Sequence, residues 1–255
     1  MNDQIEKANV FRSLHSAEEP LILYNVWDRG SARKIEACGA RAIATSSWSV
    51  AAAQGLDDGE AIPLNDVIAL AGKLVAASSL PVTIDFEGAY AADPEAVARN
   101  VNRLIETGVV GLNLEDQIVG GGGLYSIDDQ VRRIRAAKSA ADESGVPVFI
   151  NARTDLFLKN DGNALPAALI SEALERAVAY REAGADGYFV PALNDRDLVR
   201  NIVERAELPI NVMVGTECLN PALWGEIGVA RVSYGPAPYI TLMNDFVAAA
   251  ELIMV

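Results

Sequence analysis

The sequence predicts an α/β fold, a (β/α)8 barrel of TIM type, and three observations carry that prediction. Four segments end a helix on a glycine and run into a strand: "EACGARAI" at Gly39, "IETGVVGL" at Gly108, "REAGADGY" at Gly184 and "GEIGVARV" at Gly228. A glycine there can take the left-handed geometry that stops a helix. Four others set a proline, which cannot continue a helix, before an apolar strand: "EEPLILYN", "SSLPVTID", "SGVPVFIN" and "AELPINVM". The two kinds alternate strictly. They give eight strand starts in 255 residues, the usual length of such a barrel.

The expected strands are 21–27, 42–47, 82–87, 111–116, 148–154, 187–192, 209–214 and 230–235. Spacers such as 95–107 and 169–183 are long enough for helices. An open doubly wound sheet is the alternative, but it seldom needs eight such regular units. No domain boundary is visible, so 1–255 reads as one domain with a short N-terminal helix and a lid loop near 117–130.

Active sites of these barrels sit at the carboxyl ends of the strands. The first strand, "LILYNVWD", offers Tyr24, Asn25 and Trp27 to the pocket, although packing explains Tyr24 and Trp27 equally well. The second ends in Ser46 and Ser47, whose hydroxyl and backbone N–H groups could hold a carboxylate or simply form a turn. Asp57 and Asp58 follow and read as a solvated acidic turn.

The third strand, "VTIDFEGAY", alternates Val82, Ile84 and Phe86 with Thr83, Asp85 and Glu87. The fourth, "GLNLEDQ", puts Asn113 and Glu115 on one face; the fifth, "VFINART", does the same with Asn151 and Arg153. If that face points inward, Asp85, Glu87, Glu115, Asn151 and Arg153 converge. Three carboxylates would repel one another, and one arginine cannot neutralise three acids. A divalent metal resolves the crowding. All-oxygen ligands favour Mg²⁺, or Mn²⁺, over Zn²⁺, and Mg²⁺ commonly keeps waters of its own. Arg153 then offers a bidentate site to a substrate carboxylate or phosphate. The loop "IVGGGGLYSIDDQ" is not a phosphate-binding loop, because no Gly-Lys-Ser/Thr follows. It reads equally as a mobile lid or a plain flexible loop.

Composition narrows the partners. A net charge of −14 and a pI of about 4.5 argue against nucleic acid and anionic membrane surfaces. No apolar run reaches membrane length and no signal peptide is apparent, so a cytoplasmic location is expected. Cys38 and Cys218 are too few for a disulfide framework. The one histidine, His15, is expected on the surface, which leaves no Ser-His-Asp triad and no His-rich zinc site. The apolar terminal segment "PAPYITLMNDFVAAAELIMV" suggests a surface covered by the barrel or by another subunit.

The pieces "TSSWSVAAAQGLDD", "IDFEGAY", "GLNLEDQ", "INARTD" and "REAGAD" resemble, in order, the isocitrate lyase and phosphoenolpyruvate mutase superfamily. The resemblance implies a (β/α)8 barrel, often with its last helix exchanged between subunits of a homodimer or homotetramer. It implies Mg²⁺-dependent making or breaking of a C–C or P–C bond in a 2-oxo acid. By the resemblance Asp85 is the direct metal ligand, and Glu87 and Glu115 hold metal-bound waters. Ser46 and Ser47 bind the substrate carboxylate with Trp48 beside them, Arg153 binds a substrate oxygen, and Asp58 reaches the site from its loop.

Where the lyases carry a Lys-x-Cys-Gly-His-like loop, this chain reads "EDQIVGGGGLYSID", with no Cys, Lys or His. At the end of the sixth strand, where the lyases place a Glu, it reads "FVPALND". The longer Lys-, Thr- and Asn-bearing loop of the mutases and phosphonopyruvate hydrolases is also missing. The pattern matches a shorter-loop, phosphorylmutase-like subgroup. The expected chemistry is C–C cleavage in a small 2-oxo acid or its adduct through a metal-stabilised enolate. Tyr125, Asp58 or a metal-bound water would move the proton. P–C chemistry and a 2-oxo acid binding protein with weak catalysis are the alternatives.

Overall fold

A computed structural model describes residues 2–160 and 167–254. Eight strands follow one another: β1 (Leu21–Leu23), β2 (Ile43–Ala44), β3 (Val82–Asp85), β4 (Gly111–Glu115), β5 (Phe149–Arg153), β6 (Gly187–Phe189), β7 (Ile210–Met213) and β8 (Arg231–Ser233). The helices are α1 (Asn2–Ser13), α2 (Arg29–Ala37), α3 (Ser47–Ala52), α4 (Leu64–Val75), α5 (Pro94–Ile105), α6 (Ile127–Ser144), α7 (Ala167–Glu182), α8 (Arg196–Ala206) and α9 (Ala237–Met254). A 3₁₀ turn over Pro221–Ile227 stands between β7 and β8.

Every strand pair is parallel, and the order runs β1-β8-β7-β6-β5-β4-β3-β2. A bridge between Val26 and Thr45 joins the two ends and closes the barrel. The four glycines that end helices take positive φ, from 89° at Gly228 to 102° at Gly184. The strands are shorter than expected at the carboxyl end. The second stops at Ala44 because Ser46 turns to cap α3, its Oγ accepting from the Ser49 N–H.

The apolar core lies between strands and helices. The barrel interior is layered. At the amino end, α1 plugs the opening with Phe11, whose ring meets Phe149 edge-on. His15 is part of this plug, which corrects the expectation of a surface position. Its ring stacks on Phe149 with centroids 3.9 Å apart, Nδ1 pairs with the Phe11 carbonyl at 2.9 Å, and Nε2 is buried without a partner. Burial, reinforced by the charge of Arg231, pushes its pKa down to about 3. A neutral ring at the floor takes no part in chemistry at the opposite end.

Above the plug lies a polar layer. Asn151 Nδ2 donates to Asn113 Oδ1 at 2.9 Å and to Asn211 Oδ1 at 3.1 Å, and Arg231 donates to Asn113 Oδ1 at 3.3 Å. A Cβ at Gly187 would stand 2.8 Å from both Asn151 Oδ1 and the Phe149 ring, so a side chain there would collide with this layer. The loop after β4 is a tight hairpin bridged at Gln117 and Leu124. Among the described residues of α9, Pro238 is the one buried; Phe246, Leu252, Ile253 and Met254 face outward. No helix among the described residues is long and apolar enough to cross a membrane.

Candidate active site

The carboxyl end of the barrel gathers acids from three consecutive strand ends. Asp85 closes β3, and its position is fixed by neighbours. The Thr45 hydroxyl accepts the Asp85 N–H at 2.9 Å. Ser47, at the first turn of α3, donates its N–H at 3.2 Å and its hydroxyl at 2.9 Å to Asp85 Oδ2. Asn113 Nδ2 donates to Oδ1 at 3.1 Å. With Asn113 Oδ1 already accepting from Asn151 and Arg231, its amide nitrogen is left to face Asp85.

Beyond Asp85 the chain enters a strained turn. Glu87, Ala89 and Tyr90 all hold positive φ, 49°, 57° and 57°. Such values cost a non-glycine residue on the order of 1–3 kcal/mol each and persist only under constraint. Glu60 supplies the constraint. Its carboxylate accepts the Tyr90 N–H at 2.7 Å, and its own N–H donates to Glu87 Oε2 at 2.7 Å. The loop carrying Asp58 and the turn carrying Glu87 therefore hold each other.

Arg153 closes β5 and is the cation of the site. Nε and Nη2 clasp Asp155 at 2.6 and 3.0 Å, while Nη1 lies 3.2 Å from Glu115 and 3.6 Å from Asp85. The Asp155 N–H in turn donates to Asp116, which Arg176 and Tyr180 hold from behind. The fork expected to bind substrate is thus occupied by Asp155, and what Arg153 presents to the site is Nη1.

Burial raises the Glu87 pKa to about 8, with Asp58 and Asp85 adding to it. Asp58 is raised by burial and then by Asp85; Glu115 is raised by burial against the pull of Arg153. All three are raised first by burial, and the neighbouring carboxylates add to it. The fold thus favours neutral Glu87, so its stabilising contribution is full below its ordinary value of about 4.5 and is lost as pH rises through about 8. The metal-free protein should accordingly melt at progressively lower temperature between pH 5 and 8. A melting temperature, measured in chelator, that stays flat or rises over this window contradicts the crowding.

The structure brings Asp58, Asp85, Glu87, Glu115 and Arg153 together, with Ser46, Ser47 and Trp48 beside them. Ser46, Ser47, Trp48, Asp58, Asp85, Asn113 and Arg153 line one cavity of about 160 Å³. Three expectations are corrected. Asn151 is almost wholly buried in the polar layer, where it supports Asn113 instead of meeting a substrate. Tyr24 faces outward, because the alternation of the first strand gives the inward position to Asn25; it lines a groove against α2 instead. Tyr125 does not line the cavity. Its ring lies under the Arg133 guanidinium at 4.2 Å and its carbonyl accepts from Arg176. The short hairpin places Val119, not a polar side chain, over Gly59 and Gly88.

Among the described residues, no three acids, histidines or cysteines already form a ready ligand shell. The donor set nevertheless fits an ion that keeps much of its own water, as Mg²⁺ does. It consists of carboxylate oxygens, Asp58 and Glu87 are raised by burial and by neighbouring acids, as a cation would relieve, and Asp85 Oδ1 keeps an acceptor direction not used by Asn113.

A family model described as phosphoenolpyruvate phosphomutase matches residues 11–254. The 2-methylisocitrate lyase of Escherichia coli K12 is 32% identical over 209 residues, 78% of this chain and 67% of that protein. A Burkholderia cenocepacia J2315 protein, assigned provisionally as a phosphonomutase, superposes with a TM-score of 0.94 at 44% identity, covering 98% of this chain and 99% of its own. The 2,3-dimethylmalate lyase, a member of the PEP mutase/isocitrate lyase superfamily, superposes at 0.82 with 26% identity, over 98% of this chain and 87% of its own.

Proposed function

The chain belongs to the phosphoenolpyruvate phosphomutase family, within the isocitrate lyase/PEP mutase superfamily of lyases and mutases, and we propose that it cleaves a C–C bond in a small 2-oxo acid adduct with the help of Mg²⁺. The observation that carries this reading is the cluster of Asp58, Asp85, Glu87 and Glu115 at one mouth with Arg153 as its sole lining cation among the described residues.

Asp85 would hold the ion directly, and Glu87 and Glu115 would hold it through water. When bound, the ion supplies Lewis-acid stabilisation of negative charge developing on the keto oxygen of a 2-oxo acid. The side chains do the rest. Ser47 and Asn113 keep Asp85 aimed. Arg153 Nη1 faces the same oxygen-rich space. Asp58, its carboxyl raised above the ordinary range by burial and then by Asp85, suits a proton carrier. In a 4-hydroxy-2-oxo acid it would take the C4 hydroxyl proton as the C3–C4 bond breaks. The bond's electron pair passes to the 2-oxo acid half, and the same proton returns to C3. The products are a carbonyl compound and a shorter 2-oxo acid, with no oxidant or reductant required.

The 44% identity to the provisional phosphonomutase favours P–C chemistry as a second reading. Against it stands the cavity lining, in which Arg153 is the one cation among the described residues and is already clasped by Asp155. Turnover of a 4-hydroxy-2-oxo acid, oxaloacetate, 2-methylisocitrate and phosphonopyruvate, each with and without Mg²⁺, separates the two. Mg²⁺-dependent release of a 2-oxo acid from a C–C substrate is expected. Turnover of phosphonopyruvate alone would replace this reading with the second.

A further inference from the structure

Resting on the 2-oxo acid reading above, we propose that the substrate carries a single carboxylate and presents an uncharged, apolar group to the wall opposite the acids. The cavity of about 160 Å³ has two unlike halves. One holds Asp58, Asp85 and Arg153. The other is built from Trp48 in α3, Leu158 beyond β5, Phe189 at the end of β6, Met213 at the end of β7 and Pro236 beyond β8.

A second carboxylate would need a cation or several free donors on that second half; the described residues there supply no cation, and the Trp48 indole N–H is the one side-chain donor among its five residues. Arg153 is the one cation among the lining residues, and it is turned to the acidic half: Nε and Nη2 donate to Asp155, and Nη1 lies 3.2 Å from Glu115 and 3.6 Å from Asp85. The two polar residues beside the apolar wall are also committed. Asn25 donates to the Thr45 carbonyl at 2.7 Å and accepts from the Tyr234 and Gly235 N–H groups. The Ser233 hydroxyl is bonded to Asn211. A carboxylate pressed against this wall would lose its water for at most one neutral donor, the Trp48 N–H, with no cation to balance its charge. A short alkyl group would instead cover Trp48 and Leu158, which are 37% and 42% exposed in the free chain.

The cavity also limits length. It is well below the roughly 300–1,000 Å³ of sites for drug-sized ligands, so an acid of a few carbons fills it.

The test uses two acids of equal length that differ at one end: 2-oxopentanoate, ending in a methyl, and 2-oxoglutarate, ending in a carboxylate. Their dissociation constants are measured by calorimetry on the full chain in Mg²⁺. The wild-type protein should bind 2-oxopentanoate at least about tenfold more tightly. Leu158→Arg, at a position exposed enough to tolerate the change, should narrow or reverse that ratio. Equal binding, or tighter binding of 2-oxoglutarate by wild type, overturns the apolar-tail assignment alone and leaves the 2-oxo acid reading intact. Binding of neither acid overturns both together. An unchanged ratio in the Leu158→Arg protein removes the wall as the source of any preference.

Discussion

Asp85→Ala should abolish Mg²⁺-dependent turnover while leaving a folded barrel. Asp85 is the acid on which Ser47 and Asn113 converge, and no neighbour can substitute for it: Glu87 is committed to the Glu60 N–H and Glu115 faces Arg153. A bound metal contributes several kcal/mol to charge stabilisation. At about 1.4 kcal/mol per factor of ten, the loss should be on the order of 10³-fold or more. Two effects on stability oppose each other: Asp85 is among the charges that push the Glu87 carboxyl up, but Ser47 and Asn113 lose their acceptor when it goes, so the variant should still fold. The rise in melting temperature that Mg²⁺ gives the wild-type protein should vanish. Full activity in this variant would refute the metal assignment.

The second large effect concerns Arg153→Lys. A lysine keeps the charge but not the planar fork, and the two bonds to Asp155 at 2.6 and 3.0 Å cannot both be made. Asp155 is itself held on Asp116 by its N–H, so it cannot follow a shorter partner. Losing one charge-assisted bond should cost about 1.5–3 kcal/mol, read from denaturant unfolding. Activity should fall by about 10²-fold, since small displacements of a positioning group have effects of that order. Wild-type kinetics in this variant would remove Arg153 from the chemistry; wild-type stability would show that the Asp155 clasp is dispensable.

The barrel could be read from the sequence because its punctuation is local. A glycine with positive φ or a proline before a strand acts over a few residues, and all eight starts were visible in this way. The inward face of β3, β4 and β5 was visible for a similar reason, since period-two alternation needs no tertiary information. Alternation gives the face but not the depth. Asn151 shares its face with Arg153 yet sits one layer down, where it serves Asn113. Asp155 was missed although it lies two residues past Arg153 on the same face. Glu60 and Arg231 carried no local signal. The first acts through a backbone turned to φ 58°, and the second reads as the start of an ordinary strand. Tyr125 was misplaced because a run of four glycines does not define the path of the chain beyond it.

The two halves of the mouth are built on different terms. On the acidic side, the loop after β2 and the turn after β3 are laced together through Glu60, so neither can change without the other. On the apolar side, each residue arrives from a separate element, and a change in one need not propagate to the next. Mutational libraries confined to Leu158 and Met213 should therefore reshape selectivity while sparing the reaction itself. Such a barrel can acquire new diets by altering half its rim.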